Sequence, residues 1–351
     1  MNEKILIFCN SYKSIINSRY SLLNELLKEK KLDIYSFEIL QKNKTNFKIN
    51  KMNFFSFVKI ISKSNILENC NLIFSYNLKS VVTASLLNIF LKKKHIVMIT
   101  GLGNVFLRKS LKNYFLQYFV LIFYKLFLKN TYHIFFQNSD NYKFFKTNNI
   151  ITNQNFSITG ASININNYEL TNFNNLKKIS FVMAARAIPE KGIEEYMYAS
   201  SKVIFNNSNY NVKFYLFTSK NNYITKLLLK YKLNNCANFI LKEWSYNLKD
   251  DIKNLHIGVL PSYGEGTSFF LLQALAMGKP IITTDVFGCK NLVKDNGFLC
   301  KPRDPENLYH YFVKMINSKN KFGLFGENSR ILIKENFDSS VVNKKILKYF
   351  S

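Results

Sequence analysis

The chain has 351 residues, with 49 Lys and Arg against 22 Asp and Glu, giving a formal net charge of +27. Hydrophobic residues make up 47% of it, which excludes wholesale disorder, and the length suggests about two domains. No uncharged apolar run approaches the ~18–20 residues needed to span a bilayer, and no signal-peptide core precedes a small-residue cleavage site. The five cysteines (Cys9, Cys70, Cys236, Cys289, Cys300) are scattered and odd in number, which suits reduced thiols in a cytosol and neither a disulfide framework nor a zinc site.

In chain order the pattern is strand, then helix, repeated. Residues 4–8 (KILIF) read as a buried strand, and residues 19–28 carry Leu22, Leu23, Leu26 and Leu27 at helical spacing. Further strands are predicted at 33–37, 71–76, 95–100 and 133–137, with helices at 54–62, 80–91 and 107–129. A polar, Asn-rich stretch after Tyr168 (ELTNFNNLKK) has no periodicity and reads as a linker. The alternation then restarts, with strands at 179–183, 212–218, 238–241, 256–260 and 280–284 and helices at 192–203, 222–231 and 267–277. Such alternation predicts an α/β protein with doubly wound parallel sheets in two halves.

The charge asks for an anionic partner: nucleic acid, a membrane surface or a phosphorylated substrate. It is uneven. Residues 1–165 hold 23 basic and 7 acidic side chains, net +16, and residues 166–351 hold 26 and 15, net +11.

Two segments carry chemistry. In residues 260–285 (LPSYGEGTSFFLLQALAMGKPIITTD) a strand leads through a polar turn into a helix. The amides and positive dipole end of that helix, at Gly266, Thr267 and Ser268, make an anion site, and Gly266 permits close backbone approach. Glu265 stands at the mouth, and Gln273 lies eight residues on, about two helical turns deeper. A carboxylate there can accept from sugar hydroxyls, and the amide can bond a ribose. In residues 181–192 (FVMAARAIPEKG), Arg186 follows a strand end and Lys191 precedes a helix. Two cations at the carboxyl edge of a parallel sheet suit a diphosphate, Arg as a planar fork and Lys as a point charge.

Together these segments resemble the retaining glycosyltransferases of family 4. The E-x7-E motif of that family matches Glu265 and position 273, and its Arg-x4-Lys clamp matches Arg186 and Lys191. Thr100-Gly101-Leu102-Gly103, Phe136-Gln137-Asn138, Ile158-Thr159-Gly160-Ala161-Ser162, Asn296-Gly297-Phe298-Leu299 and Arg303-Asp304 follow in the family's order over nearly the whole chain. The nearest likeness is to bacterial enzymes that build surface polysaccharides on undecaprenyl diphosphate. One departure stands out: the second Glu of the pair is Gln273, which touches nucleotide preference more than activity.

The resemblance implies a GT-B fold, two Rossmann-like domains facing each other across a cleft. An acceptor-binding domain would span 1–165 and a nucleotide-sugar domain 166–338, with a helix over 339–351 returning to the first. It implies a retaining hexosyl- or N-acetylhexosaminyl-transferase that needs no metal and no cofactor beyond its nucleotide diphosphate sugar, a UDP-sugar. Glu265, Arg186 and Lys191 would be catalytic, and Gly266, Thr267, Ser268 and Gln273 would complete the donor site. The acceptor would be an undecaprenyl-diphosphate-linked glycan for O-antigen or capsule. The enzyme would lie peripherally on the inner face of the plasma membrane.

Several readings stay open at this level. Gly101, Leu102 and Gly103 suit either acceptor contact or plain turn geometry; as a dinucleotide fingerprint they fail, because Phe106 stands where a third Gly belongs. Asn138 suits either substrate contact or a helix cap. Arg19 suits either an acceptor phosphate or a solvated surface. His95, His133 and His256 offer no metal spacing and read as structural. The helix at 106–129, apolar with basic ends, reads as packing partly inside the first half, with the remainder as a bilayer-interface element. Two other functional classes remain: a GT-B epimerase or hydrolase, which the acid-poor first half disfavours, and a polyanion binder, for which no nucleic-acid module is present.

Overall fold

A computed structural model describes residues 3–38, 47–62, 70–101, 111–152, 155–174, 176–206, 210–243 and 247–350. The chain divides into two compact units, residues 1–162 with 339–351, and residues 163–338.

The first unit runs β1 (Lys4–Ser11), α1 (Tyr12–Glu29), β2 (Lys31–Glu38), β3 (Lys48–Lys51), α2 (Phe54–Ser62), β4 (Cys70–Tyr76), α3 (Leu78–Leu91), β5 (Lys94–Ile99), α4 (Leu111–Leu128), β6 (His133–Phe136), α5 (Ser139–Thr147) and β7 (Phe156–Ile158). Its seven strands are parallel in the order β3-β2-β1-β4-β5-β6-β7. The central strands are continuous apolar runs because both faces of a parallel sheet are covered. Ile5, Leu6, Ile7 and Phe8 of β1 are all buried. The helix Ser339–Leu347 belongs to this unit, and its Val342 and Ile346 share a core with Leu22, Leu26, Phe74 and Phe350.

The second unit runs β8 (Ile179–Ala184), α6 (Ile193–Asn206), β9 (Val212–Phe217), α7 (Asn222–Lys230), β10 (Phe239–Lys242), α8 (Leu248–Ile252), β11 (Ile257–Leu260), α9 (Phe269–Ala276), β12 (Ile281–Thr284), β13 (Gly297–Cys300), α10 (Pro305–Asn317) and α11 (Phe322–Asn336). Its six parallel strands lie in the order β10-β9-β8-β11-β12-β13. Both sheets therefore reverse direction beside their first strand, at β1/β4 and at β8/β11. In such sheets ligands bind outside the carboxyl ends of the strands at this switch point.

One reading changes against the structure, and another is resolved residue by residue. The stretch taken as a linker is docked on the second unit: the Thr171 amide donates to Met277 O at 2.8 Å, and the Phe173 ring packs on Phe322. The helix expected over 106–129 is described over Leu111–Leu128, and residues 102–110 lie outside the described residues. It is neither wholly core nor wholly surface. Tyr124 and Leu128 are buried, whereas Phe115 is 69% and Leu126 63% exposed. Among the described residues no helix is long and apolar enough to cross a membrane.

Candidate active site

The residues singled out in the second half converge at its switch point. After β8 the chain turns through Arg186, whose carbonyl accepts from the Ile188 amide, into a single helical turn, Pro189–Lys191. Gly192 closes that turn at φ +72°, and a Cβ there would sit 2.0 Å from the Pro261 carbonyl oxygen. Only glycine lets the Lys191 turn press against the end of β11 in this way. The reciprocal contacts come from the other loop. The Tyr263 amide donates to Glu190 O at 2.9 Å, and the buried Ser262 hydroxyl donates to the same oxygen at 3.0 Å.

This locked pair of loops brings Lys191 Nζ to 2.5 Å from Glu265 Oε1. Both side chains are largely withdrawn from water, at 17% and 12% exposure. The Glu265 amide donates to Phe287 O at 3.0 Å. Behind it Gly288, at φ +74°, leaves no room for a Cβ, which would fall 2.3 Å from Glu265 O. Arg186 is exposed. Ser268 caps α9 by accepting from the Leu271 amide at 3.3 Å, so the positive end of that buried helix opens beside Gly266 and Thr267. Gln273 lies on α9, 8% exposed, and its Nε2 donates to the Tyr168 hydroxyl at 3.2 Å.

The first unit treats its candidates differently. Arg19 is 1% exposed, which corrects its reading as a solvated surface charge. Nη2 donates to Gly160 O at 2.7 Å and Nη1 to the Ser162 hydroxyl at 3.0 Å, so the side chain braces α1 against residues 160–162. Burial pulls the guanidinium below its usual range. Asn138 caps α5 by accepting from the Asn141 amide at 2.7 Å. Gly101 is half-buried just beyond β5, and Leu102 and Gly103 lie outside the described residues. The histidines are structural: Ser180 bonds His256 at 2.7 Å and Ser75 bonds His95 at 2.9 Å, and burial pushes them down to about 4 and about 3. Among the described residues no group of His, Cys, Asp or Glu could hold a metal ion.

One part of the site escaped the sequence. Tyr263 donates its hydroxyl to Glu195 at 2.5 Å, while the Arg303 guanidinium lies 4.1 Å from the centre of its ring. Glu195 is 7% exposed, and burial raises its carboxyl above the usual range. Glu195 looks like any acid in the first turn of a helix, and nothing local signals that it meets a residue 68 positions away.

Two Rossmann-like parallel sheets, each with its switch point beside its first strand, make the architecture of the GT-B fold. Residues 167–332, just under half of the chain, match the family model described as glycosyl transferases group 1. A similar protein is N,N'-diacetylbacillosaminyl-diphospho-undecaprenol alpha-1,3-N-acetylgalactosaminyltransferase of Campylobacter jejuni, 25% identical over 72% of this chain and 69% of that one. Another is UDP-Gal:alpha-D-GlcNAc-diphosphoundecaprenol alpha-1,3-galactosyltransferase of Escherichia coli, 28% identical over 46% of this chain and 43% of that one. Among solved structures, Anabaena HepE in complex with UDP superposes with a TM-score of 0.78 over 99% of both chains at 14% identity. The protein is a glycosyltransferase, and residues 167–332 of its second unit are similar to the glycosyl transferases group 1 family.

Proposed function

We propose that this glycosyltransferase takes its sugar from a nucleotide diphosphate donor, UDP-linked, and retains the anomeric configuration. The acceptor in this reading is an undecaprenyl-diphosphate-linked glycan of a surface polysaccharide such as O-antigen or capsule. The observation that carries the reading is the Lys191–Glu265 pair, held between two glycine-locked loops at the carboxyl edge of the second sheet. The names of the Campylobacter and Escherichia relatives support the acceptor, and the latter's name together with the UDP complex of HepE supports the donor.

In this mechanism Lys191, Arg186 and the positive end of α9 stabilise the charge that grows on the departing diphosphate. Such donors act most strongly when preorganised in a site that excludes water. Glu265 releases Lys191 to the phosphate and holds the donor sugar through its hydroxyls. The acceptor hydroxyl attacks from the face the diphosphate leaves, and the leaving phosphate takes its proton. The cations supply the charge that a metal supplies elsewhere, so the reaction needs no metal and no cofactor. Gln273, steadied by Tyr168, meets the ribose through its amide. A lipid-anchored acceptor fixes the place of action as the inner face of the plasma membrane, with the enzyme bound peripherally.

The test is transfer from UDP-sugars to an undecaprenyl-diphosphate-linked acceptor by the wild type and by Glu265→Ala and Lys191→Ala, with and without EDTA. Both variants are expected to lose most of their rate, and EDTA is expected to change nothing. Wild-type rates in both variants would show that the donor binds elsewhere.

A further inference from the structure

Helix α4 breaks the usual rule of amphipathicity. A helix that is apolar on every side belongs in a core or a membrane. One face of α4 is in a core, where Tyr124 and Leu128 pack with Val81, Ile134 and Phe145. The opposite face carries Phe115, Tyr118, Phe119, Ile122, Phe123 and Leu126, each between 37% and 69% exposed. At 3.6 residues per turn these six positions cover roughly 140° of the helix surface, and Tyr114 extends the stripe.

The neighbouring helix continues the surface. The connections β4-α3-β5 and β5-α4-β6 are parallel crossovers stepping the same way along the sheet, so α3 and α4 lie on the same face of it and pack together. Near the end of α3, Ile89 is 60% and Phe90 64% exposed. The end of α4 lies at the same edge of the sheet. Exposed apolar patches of this kind mark contact surfaces.

The charge around the patch selects the partner. From residue 69 to residue 139 the chain has nine Lys and Arg and no Asp or Glu. Lys92 caps the end of α3 and is exposed, and the exposed Lys125 and Lys129 stand at the end of α4. Cations beside aromatic and aliphatic side chains fit a layer whose headgroups are negative and whose interior is apolar, with tyrosines at the boundary.

We propose that α3 and α4 form one docking surface for an anionic lipid bilayer. This assignment does not rest on the transferase reading, since binding is measured without donor or acceptor. The test is co-sedimentation with vesicles of phosphatidylglycerol and phosphatidylethanolamine, against vesicles of phosphatidylcholine. Three proteins are compared: the wild type, Phe115→Glu/Leu126→Glu and Lys125→Glu/Lys129→Glu. The changed side chains are exposed, so all three are expected to melt together and to transfer sugar equally to a water-soluble acceptor. The wild type is expected to bind the anionic vesicles at least tenfold more tightly than the neutral ones, and each double variant to lose tenfold or more. Equal binding by all three proteins, or a wild type indifferent to lipid charge, overturns the proposal. So does a wild-type dimer that Phe115→Glu/Leu126→Glu splits while vesicle binding stays absent, because the surface would then serve a second copy of this chain.

Discussion

Replacing Lys191 by Met separates stability from catalysis at the Lys191–Glu265 pair. The substitution keeps the length and apolar stem of the side chain and removes the charge 2.5 Å from Glu265 Oε1. Glu265 is 12% exposed, so its carboxylate is left nearly desolvated without a counter-charge. Breaking a buried pair costs roughly 3–5 kcal/mol, and this pair, which keeps 17% and 12% exposure, belongs at about 3. The melting temperature of the second unit is expected to fall by roughly 6–12 °C, at ~2–4 °C per kcal/mol for a unit of this size. Adding Glu265→Gln removes the orphaned charge and is expected to restore most of that loss. It does not restore turnover: losing one preorganised donor to the leaving group costs roughly 10²–10³ in kcat. Thermal melts and initial rates at saturating donor, run on both single variants and the double variant, give the full cycle. A double variant no more stable than Lys191→Met, or a Lys191→Met kcat within threefold of wild type, would refute the reasoning.

Other outcomes follow from the same geometry. Gly192→Ala places a Cβ 2.0 Å from Pro261 O at a positive φ, so the Lys191 turn must move; a loss of ~2 kcal/mol or more is expected in denaturant melts, together with loss of transfer. Tyr263→Phe leaves the buried Glu195 carboxyl without its donor and is expected to cost ~1–3 kcal/mol, with KM for the donor rising more than kcat falls. His256 is held neutral by burial, its folded value near 4 lying below the ordinary 6.5. The unfolded chain therefore takes up the proton first, and stability present above pH 6.5 drains away as pH falls toward 4, by up to about 3 kcal/mol. His256→Asn is expected to flatten that part of the pH–stability curve of the second unit. Raising salt from low to physiological ionic strength is expected to weaken vesicle binding through α3 and α4, because exposed cations are screened over ~8–10 Å.

The strands at the centre of each sheet were legible because burial on both faces writes them as unbroken apolar runs: LIFSY in β4, ISFVMA in β8, IGVL in β11. The strands missed, KINK of β3, FSI of β7 and GFLC of β13, are the outer members of their sheets. They are three or four residues long with a face toward water, so neither length nor hydrophobicity marks them. At the site, residue type and spacing beside glycine turns pointed to Arg186, Lys191 and Glu265, and the structure sets Lys191 against Glu265. Tertiary partners were illegible. Arg19 reads as surface because an isolated guanidinium usually is, and only the fold supplies the Gly160 and Ser162 oxygens that let it be buried. Glu195 and Tyr263 were missed for the same reason.

The helix Ser339–Leu347 has a consequence for how the protein is made. Its Val342 and Ile346, with Phe350, complete a core whose other members lie between residues 5 and 135. At ~5–20 residues per second, roughly 10–35 s separate synthesis of residue 162 from that of residue 338. Through that interval the first unit stands open on one side, while residues 163–338 form an unbroken segment able to close on itself. The unit begun first is thus the one finished last, and a nascent chain stalled before residue 339 presents an unsealed apolar surface to chaperones.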